Sequence, residues 1–246
     1  MARTCVFCGA TPLTKEHVLP RWLKDAFEPS MLPRVRYVTI SQKGRRFREA
    51  PLLDQQVRVV CATCNNGWMN NLEEGVRRLL PAVIRGEVRV LSLDDQRALV
   101  TWWLKTMLMF QHTHPAEDQT AIPAEDYAAF HTDRAPSHLM TARLALMPYL
   151  ADDSIPIVDT RYQGYGDELG RGWVGTLKIG CAVMQVLRLG PVEDGLRPAP
   201  FPNTAKARVV WPPVRPVGWP LRDTLAHPEM DDFARPLNLD WPKVLA

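Results

Sequence analysis

No stretch of this chain is apolar for long enough to cross a bilayer, and its first residues, MARTCVFCGA, lack the apolar core of a secretory signal. Both absences make a cytoplasmic location the default expectation. Internal repeats and low-complexity tracts are also missing. Net charge is low, at +3, and selects no partner by itself. Cysteines are few, five in all, and four of them fall in two CxxC pairs. In a reducing compartment, paired cysteines of this kind point to metal rather than to disulfides. Cys181 stands apart in an apolar run and reads as a small buried residue.

What is present suits a globular protein. With 246 residues the chain can bury a full core, as one elaborate domain or two modest ones. The 22 prolines gather towards the last third, where long irregular connections are expected. Charge is unevenly spread: residues 1–58 hold eleven Lys and Arg against five Asp and Glu, and the remainder is mildly acidic. A local basic surface suggests a phosphate-bearing partner.

Along the chain, CVFCG reads as a knuckle in which Gly9 lets the backbone bend. Leu13 to Leu19 reads as an extended segment ending at Pro20, and Arg21 to Phe27 as one or two helical turns. Residues 34–60 predict two or three strands, with a hairpin turn around SQKGRR. This insertion carries Arg34, Arg36, Lys43, Arg45, Arg46, Arg48 and Arg58, candidate phosphate contacts. A helix is expected from Asn65 to about Leu80, with Trp68, Leu72, Val76 and Leu79 on its inner face and Pro81 as its stop. A second helix starts at an N-cap, Ser92, and stops at HTHP; a third spans Ile122 to Phe130 from Pro123. Trp102 and Trp103 read as core, and His112 and His114 as a polar helix end. Beyond Pro136 several short strands are expected, and the tail from Val214 is expected to wrap over the surface.

The two CxxC pairs are the strongest chemical signal. Zinc takes four thiolates in a tetrahedron, and a CxxC turn delivers two without strain. Cys5, Cys8, Cys61 and Cys64 would close such a site, leave no open position and clamp the ends of the inserted hairpin, so the zinc is structural.

Between the pairs lie Glu16 and His17, and Asn65 directly follows Cys64. The pattern CxxCG, EHVLP, then CxxCN opening a helix resembles the HNH nuclease superfamily, in its zinc-stapled branch. The resemblance covers about the first third of the chain and implies an N-terminal ββα-metal module in an α+β protein. Residues 1–91 would form that module, and residues 92–246 helices and a C-terminal α+β or mostly β region of unassigned role. It further implies His17 as general base, and Glu16 and Asn65 as ligands of one catalytic Mg²⁺ or Mn²⁺. Histidine titrates near neutral pH, as water activation requires. The implied substrate is DNA, with RNA open, giving 5′-phosphate and 3′-hydroxyl ends; homodimerisation stays open. Two departures stand. The middle asparagine of the motif is missing from PLLDQQ, so Asp54, Gln55 or Gln56 substitutes or the role is lost. Asn66 or Asn70 competes with Asn65 as ligand. The alternative function is a zinc-stabilised nucleic-acid-binding protein without cleavage.

Overall fold

A computed structural model describes residues 3–27, 36–41, 44–49, 55–113, 122–148, 158–164, 172–188 and 204–234. Helices and strands are mixed, as expected of an α+β protein. Strand β1 (Leu13–His17) pairs antiparallel with β4 (Gln56–Cys61), and a register shift at Lys15 bulges β1. A 3₁₀ segment, Arg21–Ala26, follows β1. Between them β2 (Arg36–Ser41) and β3 (Gly44–Glu49) form the expected hairpin. Arg36, Arg45, Arg46 and Arg48 are placed on these two strands by their backbone, while Lys43 and Asp54 lie outside the described residues.

The cysteine-bearing helix departs from the single run expected. Helix α1 (Ala62–Cys64) passes through a wide π-type turn, Asn65–Met69, into α2 (Asn70–Val76). The wide turn inserts a residue into the helical register around Asn65–Met69, while Val76 and Leu79 are buried on the inner face as expected. Met69 is therefore fully buried, whereas Trp68 and Leu72 are half-buried against the core. Pro81 does not stop this helix. It sits in the first turn of a new one, α3 (Leu80–Arg85), where a missing backbone N–H costs nothing.

The core is organised around α4 (Leu93–Gln111). Ser92 caps it as expected: its Oγ accepts from Asp95 N at 3.1 Å, and Asp95 Oδ2 accepts from Ser92 N at 2.9 Å. Trp102 and Trp103 are wholly buried, and Trp103 Nε1 donates to Leu177 O at 3.1 Å. The next helix, α5, spans Ala124–Asp133.

The remaining strands are β5 (Arg89–Leu91), β6 (Met140–Leu146), β7 (Val158–Gly164), β8 (Trp173–Ile179), β9 (Ala182–Arg188), β10 (Ala207–Trp211) and β11 (Val217–Trp219). Seven strands form one sheet in the order β10-β6-β9-β8-β7-β2-β3, so the N-terminal hairpin extends the sheet through a parallel β2–β7 pairing. Every residue of β6, β8 and β9 is buried, which suits central strands covered on both faces. Cys181, at the β8–β9 turn, is buried as expected, with Sγ 3.0 Å from Ile84 O.

The tail does more than wrap the surface. β11 pairs with β5, and Trp219 is 2% exposed with Nε1 bonded to Val83 O at 3.0 Å. Leu225, Met230 and Phe233, the last two in helix α6 (Met230–Ala234), are buried against β6 and β9 residues. Apolar residues between the prolines thus insert into the core. No helix among the described residues is long and apolar enough to cross a membrane.

Candidate functional site

Cys5 to Gly9 form a tight turn. Gly9 adopts φ +74° and donates its N–H to Cys5 O at 2.8 Å; Val6 N–H donates to Val59 O at 2.9 Å, which ties the turn to β4 two residues before Cys61. Cys64 follows on α1. The four Sγ atoms of Cys5, Cys8, Cys61 and Cys64 all lie within 4.8 Å of one another. Tetrahedral zinc with bonds of about 2.3 Å needs sulfurs about 3.8 Å apart, so the set fits such an ion. The thiols influence one another: burial pushes the Cys64 thiol up, whereas Cys61, against the same cost, is drawn down by the Cys64 backbone N–H and neighbouring thiols. Four cysteines leave no open ligand position, and three of them are buried. A metal held here braces structure. Phe7, inside the knuckle, packs edge-on against Trp68 with centroids 4.9 Å apart, and Arg134 stacks over Trp68 at 4.3 Å.

Asn65 ties this centre to β1. Its amide nitrogen donates to Thr14 Oγ1 and to Lys15 O, both at 3.1 Å, and so satisfies the carbonyl at the β1 bulge. Asn66 and Asn70 are exposed.

Glu16 and His17 point to opposite sides of the strand, as neighbours on a strand do. His17 is half-buried and lies opposite Gln56 in the β1–β4 register. Gln56 Nε2 is 2.8 Å from His17 Nε2, and Arg21 Nε donates to the same ring nitrogen at 3.2 Å. A guanidinium can only donate, so this nitrogen carries the lone pair and the ring proton sits on Nδ1. Gln56, one of the three substitutes for the motif's missing asparagine, sets its side chain against the histidine, and Asp54 lies outside the described residues.

Glu16 faces inward and is 6% exposed. Its Oε1 lies 3.5 Å from the ammonium of Lys105, a fully buried residue of α4 that also pairs with Glu73 Oε1 at 2.8 Å. Burial raises the Glu16 carboxyl to about 7; Lys105 pulls it down, and Glu73 pushes it up again. A hydrated Mg²⁺ or Mn²⁺ does not fit this arrangement. The Glu16 carboxylate is shut from water and already faces a cation, and Asn65, its amide nitrogen bonded to β1, has only its amide oxygen left to offer.

Lys105 was legible as an anomaly: one lysine in the apolar run LVTWWLKTMLMF must find a buried acid. Which acid it meets depends on the tertiary packing of α4 against α2 and β1. Arg58 is exposed on β4. His112 packs against Tyr127, with ring centroids 5.5 Å apart, and His114 lies outside the described residues.

Together these features define a four-cysteine centre able to hold a metal such as zinc, with a strand-borne histidine positioned by the same elements. In comparison with known proteins, no family model, curated protein or solved structure matches the chain.

Proposed function

We propose that the chain is an HNH-type nuclease that hydrolyses nucleic-acid phosphodiester bonds with His17 as general base. One convergence carries the reading. Asn65, opening the helix after Cys64, bonds to β1 at Thr14 and Lys15, and β1 ends in His17, whose imidazole Gln56 and Arg21 hold.

The residues have separable tasks. The His17 Nε2 lone pair takes a proton from water as the water oxygen attacks phosphorus and the bond from phosphorus to the 3′ oxygen breaks, and the departing 3′ oxygen takes a proton from solvent water to become the hydroxyl. Arg21, exposed beside that nitrogen, moves from the imidazole to the phosphate oxygens when substrate arrives and offsets their charge. Gln56 keeps the ring oriented until the attacking water displaces its amide from Nε2, and Asn65 keeps β1 in register with the cysteine-bound helix. Zinc, when bound, holds the two ends of the hairpin together and takes no part in bond breaking. The divalent ion implied by the resemblance has no step in this scheme, because Glu16 faces Lys105.

Cleavage of supercoiled plasmid by wild type and His17→Ala, each with Mg²⁺, with Mn²⁺ and without added metal, tests the proposal. Nicking by wild type and its loss in the variant support it; equal activity of the two ends it.

The Lys105–Glu16 pair favours a second reading, a zinc-braced nucleic-acid-binding protein without cleavage, since an internal ammonium neutralises the acid that would hold the ion. That reading expects salt-dependent binding that survives His17→Ala, and no nicking under any of the metal conditions.

A further inference from the structure

We propose that an arginine-lined groove along β5, β10 and β11 binds the phosphodiester backbone of a nucleic acid. The groove encloses about 890 Å³ and is bordered by Arg89, Arg208, Arg215 and Arg222, with Asp223 its one acidic lining residue. Among the described residues no carboxylate pairs with any of the four arginines. Surface arginines normally find acids or water, so four together with one acid make a site for a polyanion.

Arg89 supplies the second observation. It lies opposite Trp219 in the β5–β11 ribbon and shares a side with buried Leu91, two residues on. Its Nε is buried there and has no hydrogen-bond partner. A buried charged donor left unpaired keeps its desolvation cost, which an anionic oxygen entering the groove would recover. Arg208 is set in place beforehand: its guanidinium donates to Thr204 O and, at 3.2 Å, to Ala207 O. Arg215 and Arg222 are exposed and open to ligand.

The groove's lining continues onto the ribbon face opposite Arg89, where Val90 is 69% exposed and its partner is Gly218, at which an added Cβ would meet nothing within 4 Å. An aliphatic side chain beside a bare backbone offers a flat apolar surface for sugars and bases, and planar guanidinium forks match phosphate oxygens. The choice of nucleic acid over other polyanions rests on the nuclease reading above; the anion site itself rests on the arginines.

Fluorescence anisotropy with a short labelled oligonucleotide, in the absence of added divalent ion, tests this on the full chain. Two variants are compared with wild type: Arg215→Gln/Arg222→Gln, and Gly218→Glu, which sets an acid in open space. Each is expected to weaken binding at least tenfold at low salt with the unfolding midpoint unchanged. The double variant should also flatten the slope of log Kd against log salt by roughly 1.5, as loss of two phosphate contacts implies. Wild-type affinity in both variants, no binding by wild type, or equal competition by polyglutamate overturns the proposal. Binding is read without cleavage. A groove failure therefore leaves His17 untouched, and an inactive wild type whose binding still needs the arginines ends the nuclease reading alone.

Discussion

Gln56 and His17 stand directly opposite each other on β4 and β1, with the Gln56 amide nitrogen 2.8 Å from the imidazole Nε2. The pair links the strand that leads into the second cysteine pair to the strand that ends in His17. Gln56 is exposed, so its side chain contributes orientation more than stability. Gln56→Ala should lower the turnover rate about tenfold, or about 1.4 kcal/mol of barrier, with little change in KM. Its unfolding free energy should stay within about 0.5 kcal/mol of wild type. Steady-state kinetics with urea unfolding separates the two effects.

Lys105 predicts a different response. Removing it as Lys105→Met leaves Glu16 and Glu73 without their shared cation, which should cost about 3–5 kcal/mol at pH 8 in urea unfolding. A cost below about 1 kcal/mol would contradict the buried pairing.

The Glu16 carboxyl gives a pH dependence with a definite sign. Its pKa is raised from 4.5 to about 7 in the folded protein, chiefly by burial. The native state thus holds the proton more tightly than the unfolded chain does. Stability is gained as pH falls through 7 towards 4.5, and lost as pH rises through that window. The swing is roughly 3 kcal/mol. Glu16→Gln removes it, so the stability of the variant relative to wild type should rise by about that amount between pH 5 and pH 8. Zinc release in acid affects both proteins and cancels in the comparison. A difference independent of pH would show that Glu16 is not shielded from water.

The chain announced some of this and concealed the rest. Both CxxC pairs, the hairpin between them, the Ser92 cap and the tryptophan core of α4 follow from local spacing, and local spacing is what a single sequence preserves. The π-type turn at Asn65–Met69 does not follow, because its one-residue shift arises where Met69 is drawn into the core and Trp68 meets Phe7 and Arg134. Pro81 has the same appearance at the end of one helix and the start of another. Trp219 looked like part of a proline-rich strap, and its burial depends on a pairing with β5, more than a hundred residues earlier. At the candidate site the opposite facing of Glu16 and His17 was legible from strand geometry. The Lys105 partner of Glu16 was not, since it comes from another helix.

The cysteine centre predicts metal content as well as stability. Purified wild type should carry a single tightly held zinc ion per chain, measured by plasma mass spectrometry. Cys64→Ser should lose that ion and the N-terminal fold, since zinc binding of this kind is worth on the order of 10 kcal/mol. Cys181→Ser should retain the metal, because Cys181 bonds to Ile84 O outside the cluster. Zinc retained in the first variant, or lost in the second, would contradict the assignment.

The role of His17 is tested most directly by single-turnover cleavage of a 5′-labelled oligonucleotide by wild type and His17→Ala, with binding measured on the same samples. Loss of a general base should slow cleavage by about 10²- to 10⁴-fold while affinity stays within about twofold. Equal cleavage rates, or no cleavage by wild type under any metal condition, would contradict the nuclease assignment.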